Sequence, residues 1–264
     1  LTGETADGAL SAFAVGFDGH GFSNAVINNW GQVAFAGRVA GSFGTSDRGV
    51  FLNSESLGGV GNRAVALGGS SAAGTAGTHI FVGDAVPNLS QFGRVVFLSN
   101  ISGGGATTTN DQGVFGGTMD TTTLIAREDD AAPGIANVRY GSTVVTNAAF
   151  QYPLINNNGT VAFRSALRGA SLTNLNDSAL WVGPGDVIAL GAREGSVSPV
   201  SGVNYGPMIG QALNDLDRSA LRTVLVGGGA STLNDEGEFS IGTGGNYTVT
   251  REGNVAAGAG TAQF

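Results

Sequence analysis

The stretch INNWGQVAFAG at 27–37 is written again, nearly letter for letter, as INNNGTVAFRS at 155–165. A chain that repeats eleven residues at so long an interval is built from units, and the unit decides the fold. Two further copies fall in the same register, LSQFGRVVF at 89–97 and LNDLDRSAL at 213–221. Their closing residues Phe35, Phe97, Phe163 and Leu221 lie 62, 66 and 58 positions apart. A second motif keeps that spacing: SDRGVF at 46–51, NDQGVF at 110–115, NDSALW at 176–181 and NDEGEF at 234–239. A third opens each unit: LTGETADG at 1–8, LGGSSAAG at 67–74, REDDAAPG at 127–134 and REGSVSPV at 193–200. REGNVAAG at 251–258 starts it a fifth time. The units are therefore 1–66, 67–126, 127–192 and 193–250, with 251–264 an incomplete fifth unit or an exchanged or linking strand.

Each motif has a local reading. In NxxGxxAF the Asn side chain hydrogen-bonds within its own turn and the Gly takes positive φ without penalty. Asp217 stands where the other copies have Gly, and Asp tolerates that conformation. Apolar alternation after the turn predicts a strand. In (S/N)DxG, Asp and Gly predict a second tight turn into an aromatic strand. Apolar runs such as RAVAL, TTLIA, DVIAL and YTVT precede the third motif and predict a further strand. Four strands per unit follow, with no convincing helix; LNDLDRSALR at 213–222 follows its siblings as turn and strand. Val33 and Phe35 on one side, with Ala34 and Ala36 on the other, predict a strand covered on both faces, Phe of one unit filling the space beside Ala of another. The fold class is all-β: tandem four-stranded repeats, β-propeller-like, with an open β-solenoid or a stacked β-layer array as the alternative.

Composition narrows the function classes. Gly is 46 of 264 residues without the every-third-residue period of collagen, while 41% apolar and 12% charged residues argue against disorder. No Cys means no disulfide framework or thiolate metal site, and all 12 cations are Arg. A net charge of −8 without a basic cluster argues against nucleic acid. No apolar run approaches the roughly 18–20 residues of a spanning helix. No secretory signal is seen, Leu1 is consistent with a processed N-terminus, and the Gly, Ser, Thr and Asn content suits a secreted or surface protein.

With Asn28, Gly31, Ala34 and Phe35, and again Asn156, Gly159, Ala162 and Phe163, the chain resembles a bacterial family of tandem NxxGxxAF-repeat proteins with a choice of surface anchors. Copy two departs at Ser90 and Val96, and copy four at Asp217 and Leu221. The resemblance spans essentially the whole chain. It implies an exported, extracellular or cell-surface protein and carries over no catalytic residues; no anchoring signal is recognised within residues 1–264.

Candidate chemistry is sparse. There is no GxSxG elbow, and His20 and His79 have no matched acid nearby in sequence. Asp47, Asp111, Asp177 and Asp235 recur once per unit beside Asn or Ser; Ca²⁺ is the cofactor they would suit, against the simpler reading that each Asp caps its own turn. NDLD at 214–217 and REDD at 127–130 are denser in oxygen ligands but short, and the Asp turns share only turn logic with the Asp box of sialidase-like propellers. GGVGNRA at 58–64 lacks the strand-then-helix context of a dinucleotide site. Trp30 is the candidate sugar platform, whereas Trp181 reads as packing. N-glycan sequons stand at Asn88, Asn100, Asn158, Asn176 and Asn246, the third and fourth explained by turns; Thr107, Thr108 and Thr109, and the run 121–123, could carry O-glycans. The reading that results is a non-enzymatic structural or adhesive β-repeat protein. It self-associates, as a filament or surface-layer subunit, through its C-terminal segment. The alternatives are a module binding surface glycans and a glycoside hydrolase-type propeller, which would need its acids gathered in one pocket.

Overall fold

A computed structural model describes residues 5–6, 11–12, 22–39, 47–58, 61–81, 86–119, 121–142 and 148–264. A short antiparallel ribbon joins β1 (Thr5–Ala6) to β2 (Ser11–Ala12). Four antiparallel sheets follow. Sheet one is β3 (Val26–Ile27), β4 (Val33–Arg38), β5 (Arg48–Asn53) and β6 (Asn62–Leu67), in that order. Sheet two has β7 (Thr78–Ile80) and β8 (Asn88–Leu89) both paired to β9 (Val95–Ser102), then β10 (Gln112–Gly117) and β11 (Thr122–Arg127). Sheet three repeats this with β12 (Arg139–Tyr140) and β13 (Phe150–Ile155) on β14 (Thr160–Arg168), then β15 (Ser178–Pro184) and β16 (Ala189–Arg193). Sheet four is continuous: β17 (Asn204–Leu213), β18 (Ser219–Val226), β19 (Glu236–Ile241) and β20 (Tyr247–Arg251). Helix is confined, among the described residues, to one 3₁₀ turn at Glu55–Leu57. The sheets pack in chain order, each first strand lying against the sheet before it.

The joints between sheets explain the repeat. In every unit the closing residue of NxxGxxAF lies directly across from the aromatic of the second motif: Phe35 from Phe51, Phe97 from Phe115, Phe163 from Trp181, Leu221 from Phe239. Phe97, Phe115, Phe163, Trp181, Leu221 and Phe239 are fully buried. A third ring joins from the first strand of sheets two to four: His79 stands 4.7 Å from Phe115, Tyr140 5.0 Å from Trp181 and Tyr205 5.2 Å from Phe239. This aromatic face sits on the smaller face of the preceding sheet. Phe97 and Phe115 meet Ala34, Ala36, Val50 and Leu52; Phe163 and Trp181 meet Val96 and Val114; Leu221 and Phe239 meet Leu180 and Ala192. Burying each such ring contributes on the order of 1.5–3 kcal/mol.

Two covered faces hold for sheets one to three, β5 being buried from Gly49 to Leu52, but not for sheet four. From Thr160 to Ser165, β14 is buried at every position, whereas β18 alternates, with Ala220, Arg222 and Val226 exposed. Among the described residues nothing packs on that side of sheet four, so it shows the half-wet pattern of an antiparallel sheet. Phe35, in sheet one, is half-buried between Phe22 and Phe51.

The Asp turn differs from expectation in its chemistry. The preceding Asn closes it: Asn110, Asn176 and Asn234 accept through Oδ1 from the N–H of Thr107, Thr173 and Ser231 at 2.7–2.8 Å. Asp47, Asp111, Asp177 and Asp235 instead use their backbone carbonyls, which accept from Val39, Ile101, Leu167 and Leu225 at the far end of the neighbouring strand. The Gly of this motif is not a turn residue either. Gly49, Gly113 and Gly237 lie within β5, β10 and β19, and the Phe two positions on folds back over each; a Cβ at Gly113 would stand 2.6 Å from Phe115 Cε2. Gly113→Val is therefore expected to cost about 1–3 kcal/mol of overpacking. Gly113→Ala, the residue that sheet three carries at Ala179, should cost less. Urea unfolding followed by Trp181 fluorescence measures both, and equal costs would contradict the ring placement.

Candidate functional site

The NxxGxxAF turns fold as their letters indicate. Gly31, Gly93 and Gly159 have φ of 77°, 74° and 84°, and Asp217 takes 59° in the same place. Asn28 Oδ1 accepts the N–H groups of Trp30 and Gln32, each at 3.0 Å. Asn156 and Asn214 hold their turns the same way, and Ser90 substitutes its hydroxyl. In Asn28 and Asn156 the other half of the side chain reaches the next unit. Asn28 Nδ2 donates to the carbonyls of Ser90 and Gln91 at 3.1 Å, and Asn156 Nδ2 to the carbonyl of Asn214 at 2.8 Å and to Asp217 Oδ1 at 2.6 Å. Asn157 connects in both directions: its Oδ1 accepts from Gln91 N–H at 2.6 Å, and its Nδ2 donates to Asp215 Oδ2 at 2.7 Å. The four turns thus form one polar ladder across the stack. Asp217 does more than tolerate positive φ. Hydrogen bonds from Thr160, then Asn156 and Asn158, hold its carboxyl below the usual range.

On this ladder Trp30 stands half exposed, edge-on to the exposed Phe92 at 5.3 Å. Trp181 is a core ring whose Nε1 donates to Ser165 Oγ at 2.8 Å. His79 is buried, with Nδ1 3.0 Å from Ser99 Oγ, and burial pushes its pKa down to about 4. His20 and Ser46 lie outside the described residues, as do residues 59–60 of the GGVGNRA string.

The recurrent Asp positions do not converge; each stays with its own sheet. Asp47 pairs with Arg38. Among the described residues no group of three or more His, Asp or Glu is placed to hold a metal ion. Asp111 and Asp177 each face the Glu of the following RE motif. Burial pushes the carboxyl of Glu128 up, with Asp111 adding to it; burial does the same to Glu194, with the neighbouring Asp177 also raising it. Ser178 Oγ donates to Glu194 Oε2 at 2.9 Å, while Glu128 Oε2 is buried without a partner.

The glycan candidates take structural roles as well. Asn88 Oδ1 accepts from Ile155 N–H in the next sheet, Asn100 is half-buried in β9, and Asn246 Nδ2 donates to the carbonyl of Gly191 at 2.8 Å. Thr107 and Thr108 are exposed, and the Thr109 carbonyl accepts from Arg168.

Between sheets three and four lies a cavity of about 500 Å³, lined by Arg164, Gln151, Ser165, Asp177, Ser178 and Met208 among others. Arg164 stands in the register of Ala36 and Leu98, so the repeat pattern gave no reason to single it out. An arginine where two sibling copies carry Ala36 and Leu98 was the available signal.

Residues 2–149 and 140–264 each match the model of a family of unknown function (DUF7453). The two matches cover nearly the whole chain, about two sheets apiece. No curated protein matches the sequence significantly. Among solved structures, the exo-β-1,3-galactanase of Phanerochaete chrysosporium is similar at 13% identity with a TM-score of 0.36; the match covers 87% of this chain and 50% of the other, so this chain spans about half that protein's length.

The acid pairs predict a pH dependence. Glu194 in the folded state holds its proton more tightly than an unfolded glutamate, whose ordinary value is 4.5. Its contribution to stability is full below that value and declines as pH rises through and above it. Glu194→Gln should therefore gain stability relative to the parent on going from pH 4 to pH 7. Chemical denaturation at the two pH values tests this, and a pH-independent difference would contradict it.

Proposed function

We propose that this chain, which belongs to the DUF7453 family, is a non-enzymatic extracellular or cell-surface repeat protein with a structural or adhesive role. Its stack extends head to tail by accepting a further repeat sheet from a second copy. One observation carries this reading: the far side of sheet four repeats the chemistry that sheet three offers to sheet four. Arg222 holds the register of Arg164 and is exposed. Asn214 holds that of Asn156; its Oδ1 closes its own turn, and its amide nitrogen has no hydrogen-bond partner among the described residues. Phe264 holds the register of His79, Tyr140 and Tyr205: the bridge Val255↔Gln263 before it matches Ser71↔Thr78, Ala131↔Arg139 and Val197↔Asn204. Those three rings are buried in the next sheet's core, whereas Phe264 is 63% exposed.

Export is supported by the NxxGxxAF resemblance and by the low-charge, Gly-rich composition. A non-catalytic role is supported by the placement of the acids. Asp47, Asp111 and Asp177 each stay with their own sheet rather than gathering in one pocket. A second reading, glycan binding, is favoured by the exposed Trp30–Phe92 pair.

Light scattering and negative-stain imaging of the 264-residue chain test the assembly. Concentration-dependent linear oligomers are expected, lost in the double variant Asn214→Ala, Phe264→Ser. Monomers at every concentration would overturn it. Fractionation of the native host, with the protein found in the cytosol alone, would overturn export.

A further inference from the structure

The cavity between sheets three and four contains a buried cation with no ion-pair partner among the described residues. Arg164 is only 8% exposed, and no carboxylate lies in ion-pair range of it among the described residues. One Nη donates to the carbonyl of Met208, the other reaches Gln151 Oε1 only at 3.5 Å, and the buried Nε has no partner. The guanidinium lies 4.6 Å over the ring of Tyr152. A carbonyl and a π face offset only part of the cost of burying a charge, which otherwise calls for a paired anion. Packing does not demand an arginine here, because sheets one and two carry Ala36 and Leu98 in this register.

The surroundings are those of a ligand site. A volume of about 500 Å³ falls within the usual range for small-ligand pockets. Ser178, Gln151 and Asp177 supply hydroxyl, amide and carboxylate groups to its walls, while the Ser165 hydroxyl is taken by Trp181 in the core. Tyr152 does not line the cavity itself but follows its lining residue Gln151 and stacks on Arg164; it holds φ of 50° at a bulge in β13 and is 62% exposed. A bulky residue in that conformation is strained by roughly 1–3 kcal/mol, and such strain gathers at ligand clamps.

We propose that this cavity binds a carboxylate-bearing sugar, a uronic acid unit of an acidic polysaccharide. The sugar carboxylate neutralises Arg164, its hydroxyls hydrogen-bond Ser178, Asp177 and Gln151, and its ring lies against Tyr152. The single guanidinium of Arg164 matches a monoanionic carboxylate, while Asp177 in the same wall repels a dianionic phosphate and accepts from sugar hydroxyls. The site is independent of head-to-tail assembly.

Isothermal titration of the 264-residue chain with tetragalacturonate tests this. A neutral galacto-tetrasaccharide and a sulfated tetrasaccharide are the comparison arms. Saturable binding of the uronate alone is expected. Arg164→Gln should weaken it at least about tenfold, as expected for charged hydrogen bonds. Tyr152→Gly, which relieves the backbone while removing the ring, should weaken it too and remains decisive if Arg164→Gln does not fold. Absence of uronate binding, tighter binding of the neutral or sulfated sugar, or affinity unchanged by Tyr152→Gly would overturn the proposal.

Discussion

Every joint in this stack depends on one arrangement: two large side chains paired directly across neighbouring central strands, seated on the smaller face of the preceding sheet. Phe97 with Phe115, Phe163 with Trp181 and Leu221 with Phe239 are interchangeable in this role. A four-stranded sheet with one such face is incomplete alone, because its aromatic side needs cover. Stacking supplies that cover, and the chain repeats so that it can. The constraint reaches back into composition. Gly49, Gly113 and Gly237 leave room for the rings that fold over them, so part of the high glycine content serves packing rather than turns.

The ladder of Asn turns adds direction to this non-directional packing. Asn28 and Asn156 divide the two ends of their side chains between their own turn and the next, which ties sheet position to hydrogen-bond geometry. Asp217 and Asp215 receive at the fourth turn what Asn156 and Asn157 give. The result is a polar seam along one side of an apolar stack. It fixes how the sheets sit on one another at modest energetic cost, since a net hydrogen bond contributes only about 0.5–1.5 kcal/mol.

Much of the fold was legible in the sequence because its signals are local or repeated. Four strand positions per unit, the first split in two in sheets two and three, the positive-φ Gly and even its replacement by Asp217 followed from turn chemistry and register. The ladder was not legible, since nothing local relates Asn28 to Gln91 or Asn156 to Asp217. The second motif misled for a physical reason. Asp-Gly resembles a turn, but here Asn closes the turn and the Gly yields space to a ring inside the strand. The outer face of sheet four was misjudged too, because the repeat that makes units alike hides which faces are covered. Arg164 escaped notice for the same reason: the repeat register treats it as equivalent to Ala36 and Leu98, and only the cavity beside it separates them.

The most direct measurement is hydrogen exchange resolved by strand. If interlocking faces hold the stack together, amides of β9 and β14, in sheets covered on both sides, should exchange last, and those of β18 and β20 markedly earlier. Equal protection across the four sheets, or the slowest exchange in sheet four, would show that stability resides in the individual sheet and would contradict the account.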